Sequence, residues 1–545
     1  MSRYSIWILF LLFALVWFVN LGSRPLAEPD EGRYAEIPRE MYASGDWTTP
    51  RLNGFKYFEK PALQYWATAA AYTAFGVNEA SSRLYATTLA FLTVPLLFWL
   101  GRRLYDGATG FVAALMLGSS LMWAGVGHVN TLDIGLSFWL TLALAAFLVS
   151  QQAQTAAPRV RRWLWLAWLA IACAVLQKGL VAIVLPGAAI FTYAAVQRDW
   201  RLLLRLRLLE GAAILLVIAA PWFLSVSWRN PEFASFFFIH EHFTRFLTTV
   251  HQRNEPWWYF LPWLALGLLP WLVPIARSLR SAWQAPGDGA FNSERMLIIW
   301  PGLTLLFFSA SGSKLPPYIA PMLPPLALLG AHWLVAQGVH GAAAVRRGVL
   351  PLAAIVGSLL VAAGLAVLSV ANPRLNAYGD VAPFALLAGG TLLCGVGLGY
   401  WRLGRDNLLG GVAVLAFTAL ACTQLLLAGY NRPSVLRSSR QYAAIIASHA
   451  APSSALFFVG GYWQSLPFYL QRTGQLVQFQ GELQFGIEQE PGRWIADYPQ
   501  FARAWRATPA AIAVVNPAVF AEVEAMTGPL QILFRDRRAV IIARP

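Results

Sequence analysis

The chain reads as a polytopic α-helical membrane protein with a small α/β domain at its C-terminal end, and three observations lead there. Of its 545 residues, 57% are hydrophobic and only 12% are charged, too little polar surface to solvate a water-soluble fold of this size. The apolar residues gather in unalternating runs of about 20, the length a helix needs to cross a bilayer. After residue 429 that pattern stops, and short β-type runs alternate with helix-like ones.

Hydrocarbon offers no partner to a bare peptide group, so a chain crosses it as helices or as a closed barrel, and these long runs are helical. Spans are expected near 5–22, 83–101, 108–126, 132–151, 163–177, 180–196 and 209–228. Others follow near 258–276, 297–311, 318–338, 349–371, 383–401 and 408–429, about thirteen in all. The first, Tyr4 to Leu21, has no small-residue cleavage pattern and reads as a retained anchor rather than a signal peptide. Arginine marks alternate connections, from Arg102 and Arg103 through Arg201 and Arg205 to Arg402 and Arg405. The positive-inside rule makes those loops cytoplasmic, and Arg3 puts the amino terminus with them.

An odd number of spans leaves the tail on the outer face. The expected organisation is therefore a transmembrane domain, 1–429, with outer loops 23–82 and 229–257, followed by an outer α/β domain, 430–545. Within the first loop, residues 31–44 and 61–75 look amphipathic and suited to an interface. In the tail, strands are expected at Ala455–Val459, Leu476–Gln480, Ala510–Val515 and Ala539–Ala543, and helices at Pro499–Arg506 and Ala518–Met526. The tail carries no glycine-rich nucleotide fingerprint, which favours a capping or acceptor-contacting role. Cys173, Cys394 and Cys422 all fall in apolar runs and read as small core residues. The formal charge of +15 is spread over short basic clusters between spans, a pattern that sets orientation and argues against nucleic-acid binding.

Charge that is scarce elsewhere concentrates in residues 21–80, and ionisable groups beside a membrane mark function by default. Glu28, Pro29, Asp30, Glu31, Gly32, Arg33 and Tyr34 follow the first span directly, with Pro29 restricting the turn and Gly32 permitting close approach. The adjacent acids Asp30 and Glu31 suit binding a cation, holding a sugar or polarising a nucleophile; the bland reading is a solvated loop. Tyr57, Phe58, Glu59, Lys60 and Pro61 form a second charged run in the same loop. Asp133, at the outer entrance to the fourth span, needs a partner, and Lys178 is the candidate counter-ion; a structural ion pair and a substrate contact both remain open. All four lysines, Lys56, Lys60, Lys178 and Lys314, map to the outer side, against orientation preference, so the set favours an anion site there over simple snorkelling. His240, Glu241 and His242 are short of ligands alone; with Glu59 they would make an incomplete metal site. Arg245 and Lys60 are better suited to a phosphate.

These residues resemble a known pattern: an acidic pair after the first span, the Glu-Lys-Pro of Glu59 to Pro61, an outer Asp133, and an outer α/β tail. The chain is similar over essentially its whole length to membrane glycosyltransferases of the C-type fold that use polyprenyl-phosphate sugars, in the protein O-mannosyltransferase-like superfamily. Within it, the likeness is to the lipid A 4-amino-4-deoxy-L-arabinose transferases. That resemblance implies an undecaprenyl-phosphate aminoarabinose donor, a lipid A phosphate acceptor, and a multi-pass inner-membrane enzyme facing the periplasm whose product masks negative charge and confers polymyxin resistance. It implies that Asp30 is the key acid, with Asp133 the second and Glu31 beside them. Lys60 and Arg245 would bind the carrier phosphate, with Arg33, Tyr57 and Lys178 lining the substrate. Glu59 and His240, joined by His242, would hold a divalent metal, zinc by preference. Membrane lipids are the expected surroundings and a monomer the expected state. The rival readings are a related transferase acting on protein or glycan, a lipid or sugar transporter, disfavoured because the charges lie at one interface and no half repeat is evident, and a non-catalytic receptor.

Overall fold

The computed structural model of the chain describes residues 3–152, 156–244, 255–285, 291–370, 372–432, 437–451 and 453–544. The chain divides into two compact units, one of residues 1–23 with 83–435 and one of residues 24–82 with 436–545. The segment drawn from sequence as an outer loop of the membrane domain thus shares a compact unit with the tail.

The first unit is helical. Among the described residues, eight helices are long and apolar enough to cross a membrane, and one further pair of apolar helices, sharply bent, forms either a broken span or a re-entrant loop. Three shorter apolar helices add to these. The chain is a multi-pass membrane protein. Several expected spans are interrupted. The 108–126 run forms Gly107–Ser119 and Leu121–Val126, parted at Ser120, whose backbone is extended. The 258–276 run forms Phe260–Gly267 and Leu272–Gln284, bent by 110°, with Pro270 between them unable to donate the amide a continuous helix requires. Residues 316–336 begin as a 3-10 turn, Pro316–Met322, before the α-helix Leu323–Ala336.

Where two helices pass closely, small residues permit it. A Cβ at Gly110 would stand 2.3 Å from the Phe98 carbonyl oxygen, so Gly107–Ser119 and Glu79–Leu104 pack backbone against backbone. Buried polar groups in this unit find partners. The two ring nitrogens of His128 each lie 2.6 Å from a carbonyl oxygen, of Ala124 and of Trp17, and Trp17 Nε1 donates to the Thr87 carbonyl at 3.2 Å.

The second unit holds all the strands of the described residues. β1 (Arg51–Leu52) and β2 (Phe55–Lys56) form a short hairpin across Asn53 and Gly54, both at positive φ. β3 (Ala455–Val459), β4 (Gln475–Val477), β5 (Trp494–Ile495), β6 (Ala511–Val515), β7 (Gln531–Arg535) and β8 (Val540–Ala543) form a six-stranded sheet in the order β5-β4-β3-β6-β8-β7. β3, β4, β5 and β6 run parallel, and β8 returns antiparallel to β6 and β7. β6 is buried along its length, as a parallel strand covered on both faces should be. Helices Tyr498–Ala507 and Phe520–Thr527 pack on one face through Phe501, Trp505, Phe520 and Val523.

The two segments expected at an interface are the helices Asp30–Ser44 and Leu63–Phe75. The first corrects that expectation. Every residue from Glu31 to Met41 is buried, so Glu31, Arg33, Glu36 and Arg39 face partners of opposite sign instead of water. It ends at Gly45, whose φ of +73° supplies the left-handed turn that stops a helix.

Candidate active site

The helix Asp30–Ser44 opens with its two acids in the first turn, where the positive end of the helix dipole favours them. They meet different fates. Glu31 is fully buried and clamped by Arg24 through two hydrogen bonds, of 2.7 and 3.0 Å, while the Ala27 amide donates to it at 2.9 Å. A carboxylate held that way has both oxygens engaged within the fold. The Asp30 side chain is 42% exposed and accepts one hydrogen bond, 3.0 Å from Arg33 Nη2.

Arg33 is the hub of this cluster. Its Nη1 donates to the Tyr57 hydroxyl at 2.9 Å and pairs with Glu482 at 2.9 Å, with a Glu59 oxygen 4.0 Å away. Burial alone would lower its pKa, but Tyr57, Glu482, Tyr34 and Asp30 more than reverse that, and the guanidinium is held charged. Burial raises the Glu482 pKa, which Arg33 opposes, and Gln464 Nε2 donates to its other oxygen at 3.1 Å. The charge of Arg33 is thus shared among Asp30, Glu482 and Tyr57. Burial likewise raises the Tyr57 hydroxyl well above its ordinary range, so Tyr57 stays a neutral hydrogen-bonding group. Gly32 completes the arrangement. A Cβ there would lie 2.6 Å from the Ser465 nitrogen, so only glycine lets the helix meet the Gln464–Ser465 backbone.

Lys60 Nζ donates to the Glu59 carbonyl at 2.7 Å and lies 3.9 Å from the Glu59 carboxylate. Glu59 therefore faces two cations, Arg33 and Lys60. Sequence reasoning missed Glu482 and Gln464 because they lie in the tail, far along the chain from Arg33, and their own neighbours form no motif.

The first unit carries a second acid. Asp133 sits in the first turn of the helix Leu132–Ser150 and pairs with Lys178, in the last turn of the helix Ala157–Lys178. The counter-ion expected from sequence is the one observed. Lys178 Nζ also lies 4.5 Å from the centre of the Tyr318 ring, a cation–π contact that the sequence did not announce. Both side chains of the pair are nearly closed off, at 12% and 13% exposure. The register is fixed next door. A Cβ at Gly135 would meet Gln177 at 2.4 Å, and Gln177 donates to the Leu132 carbonyl and accepts from Tyr85. Lys314 donates to the Ser311 and Glu255 carbonyls, so it closes a turn.

His240 and Glu241 lie in a π-helix, Ser235–Thr244, a conformation often found at functional positions. His240 stacks on Phe236 with centroids 5.0 Å apart, and its Nδ1 is 3.7 Å from Glu241. Phe223, Phe233 and Phe237 brace this helix through ring contacts of 5.3 to 6.2 Å. The His242 side chain and Arg245 lie outside the described residues. Among those described, no three His, Cys, Asp or Glu gather as metal ligands. Arg33 and Lys60 beside Glu59 oppose a dication there, so Glu59 does not fit a metal centre.

Residues 4–237 match the family described as dolichyl-phosphate-mannose-protein mannosyltransferase, and residues 442–544 match the aminoarabinose transferase C-terminal domain. An undecaprenyl phosphate-α-4-amino-4-deoxy-L-arabinose arabinosyl transferase from Edwardsiella ictaluri is 33% identical over 87% of this chain and 86% of its own. The crystal structure of ArnT from Cupriavidus metallidurans bound to undecaprenyl phosphate superposes with a TM-score of 0.92 at 35% identity, covering 99% of this chain and 98% of that one. An archaeal oligosaccharyltransferase from Archaeoglobus fulgidus, 13% identical with a TM-score of 0.54 over 94% of this chain and 69% of its own, shares the fold alone.

Proposed function

We propose a function from one premise: the chain belongs to the undecaprenyl phosphate-aminoarabinose arabinosyl transferase family, membrane glycosyltransferases of the C-type fold. It transfers 4-amino-4-deoxy-L-arabinose from undecaprenyl phosphate to a phosphate of lipid A, and the observation that carries this is the near full-length likeness to a relative bound to undecaprenyl phosphate. The reading places about thirteen crossings in the inner membrane with the acids and the α/β tail at the periplasmic face, by the arginine placement. The physiological result is masking of lipid A charge and resistance to polymyxin.

The reaction breaks the bond between the anomeric carbon and the carrier phosphate oxygen and forms one from that carbon to an acceptor phosphate oxygen. Positive character develops on the sugar while negative charge grows on the departing carrier phosphate. Asp30, exposed and oriented by Arg33, answers the first need, and Lys60 the second. An ionised acceptor phosphate brings its own nucleophilic oxygen. Asp30 therefore aims the acceptor, and takes its proton when it carries one. Attack opposite the leaving group inverts the anomeric centre. Lys178, paired with Asp133, is assigned to the substrate by its residue type. Arg245 is assigned to the carrier phosphate by its residue type.

The test is transfer by the purified protein from aminoarabinose-loaded undecaprenyl phosphate to lipid A in liposomes, read as mass-shifted lipid A. Product from wild type, none from folded Asp30→Ala that still binds the carrier, and little from folded Lys60→Ala, whose carrier binding is weakened, is expected. Wild type giving no product would return the sugar and acceptor to the wider family, and full turnover by Asp30→Ala would sink its role.

A further inference from the structure

The six-stranded sheet of the second unit carries a cavity of about 430 Å³ that the transfer chemistry does not use. Its position follows from topology. From β3 the chain moves outward to β4 and β5, then returns to lay β6 on the opposite side of β3. In an open α/β sheet, such a reversal leaves a crevice at the carboxyl ends of the two strands, and ligands bind there. Gly460 and Gly461, directly after β3, and Asn516 and Pro517, directly after β6, line this cavity.

The walls have one sign. Arg437, Arg537 and Arg538 all line the cavity, with Glu28 the one acid among its lining residues. The Glu28 carboxylate is already saturated. It pairs with Arg538 and accepts from the Ser465 hydroxyl at 2.6 Å and the Ser465 amide at 3.1 Å. That leaves Arg437 and Arg537 with no carboxylate partner among the described residues. Two unmatched guanidiniums in a concave site favour an anion with several acceptor oxygens. Trp463 and Phe479 add an aromatic wall, and the volume lies within the range of small-molecule clefts, about 300–1,000 Å³.

We infer that this crevice is a second ligand site that takes the phosphorylated aminosugar headgroup of the acceptor lipid; its identification with the acceptor rests on the proposed transfer reaction. The site recognises the phosphate through Arg437 and Arg537 and the sugar through the aromatic wall.

The test uses the full-length protein in detergent and calorimetry with three probes: glucosamine 1-phosphate, inorganic phosphate and glucosamine. Glucosamine 1-phosphate should bind at least about tenfold more tightly than either other probe, since two contacts together exceed one by more than about 1.4 kcal/mol. The exposed pair Arg437→Ala/Arg537→Ala should lose about 10- to 100-fold in that affinity, as charge-assisted contacts of this kind do. Its affinity for undecaprenyl phosphate should stay within about twofold, and the acceptor KM should rise with kcat held. The equal charge loss Arg503→Ala/Arg506→Ala, away from the cavity lining, should change nothing. Unchanged glucosamine 1-phosphate affinity in the Arg437/Arg537 variant would overturn the site, and equal binding of inorganic phosphate would overturn the headgroup assignment. A wild type that binds glucosamine 1-phosphate yet transfers nothing to lipid A would fail the reaction and keep the site.

Discussion

Asp30 and Asp133 are both first-turn acids paired with a cation, yet their surroundings differ in the one respect that decides use. The Asp30 side chain is 42% exposed and its partner Arg33 is shared with Tyr57, Glu482 and Glu59. The Asp133 side chain is 12% exposed and its partner Lys178 is held by Tyr318 besides. An open carboxylate with a divided partner keeps lone pairs for a substrate. A closed pair spends its charge internally, so breaking it costs fold before it costs chemistry. The contrast predicts that mutations at the two acids fail in different ways.

The largest effect falls on the open acid. Asp30→Asn keeps the shape and the Arg33 contact but removes the charge, and kcat/KM for transfer should drop by about 10² to 10⁴ with the melting temperature little changed. Mass spectrometry of lipid A and a thermal melt separate the two. A melting temperature that falls along with activity would erase the distinction drawn here.

At the closed pair the order reverses. Lys178→Met strands the Asp133 charge, and stability should fall by about 3–5 kcal/mol. The double variant Asp133→Asn/Lys178→Met should regain most of that stability while transfer stays low, because Lys178 is then missing as a cation. A double variant with full activity would make the pair purely structural. Next in size is Glu482→Gln, which removes one anion from Arg33 and tightens its hold on Asp30. A charge-assisted contact is worth about 1.5–3 kcal/mol, so kcat should shift by about tenfold with the donor KM held. A change in donor KM alone would show that Glu482 touches the substrate.

Much of the tail was legible. β3 begins and ends at the expected Ala455 and Val459, and the helix Tyr498–Ala507 lies within a residue of the expected bounds, because strands buried on both faces and amphipathic helices carry strong periods. β7, an exposed edge strand with sequence Gln-Ile-Leu-Phe-Arg, and the two-residue β5 gave no such signal. The Asp133–Lys178 pair was legible because a carboxylate at a span entrance must find a cation and few were available. That Glu31 is the acid that turns inward was not legible, because adjacency in sequence does not say which of two acids does; its partner is Arg24, seven residues earlier. The helix Asp30–Ser44 looked amphipathic because its charges read as a wet face, whereas they are matched inside the unit.

That same matching carries the smallest predicted effect. Glu36 pairs with Arg39 through two hydrogen bonds of 2.6 Å, while Glu40 beside them has no cation of its own among the described residues: it accepts from the Gly54 amide at 2.9 Å and, when protonated, donates to Glu36. Burial, reinforced by the Glu36 charge, pushes the Glu40 pKa up to about 8. The folded state then holds a proton that the unfolded chain releases near pH 4.5, so stability is fullest below that value and declines as pH rises through about 8. Glu40→Gln keeps the acceptor for Gly54 and the donor for Glu36 but has no charge to lose. Wild type should melt lower at pH 8.5 than at pH 6 by about two degrees, what the roughly 2.7 kcal/mol of one proton over two pH units produces in a chain of this length, and the variant's melting temperature should be flatter across that interval. Parallel curves for the two proteins would place the proton elsewhere, and the buried carboxyl pair would then have to be ionised and solvated.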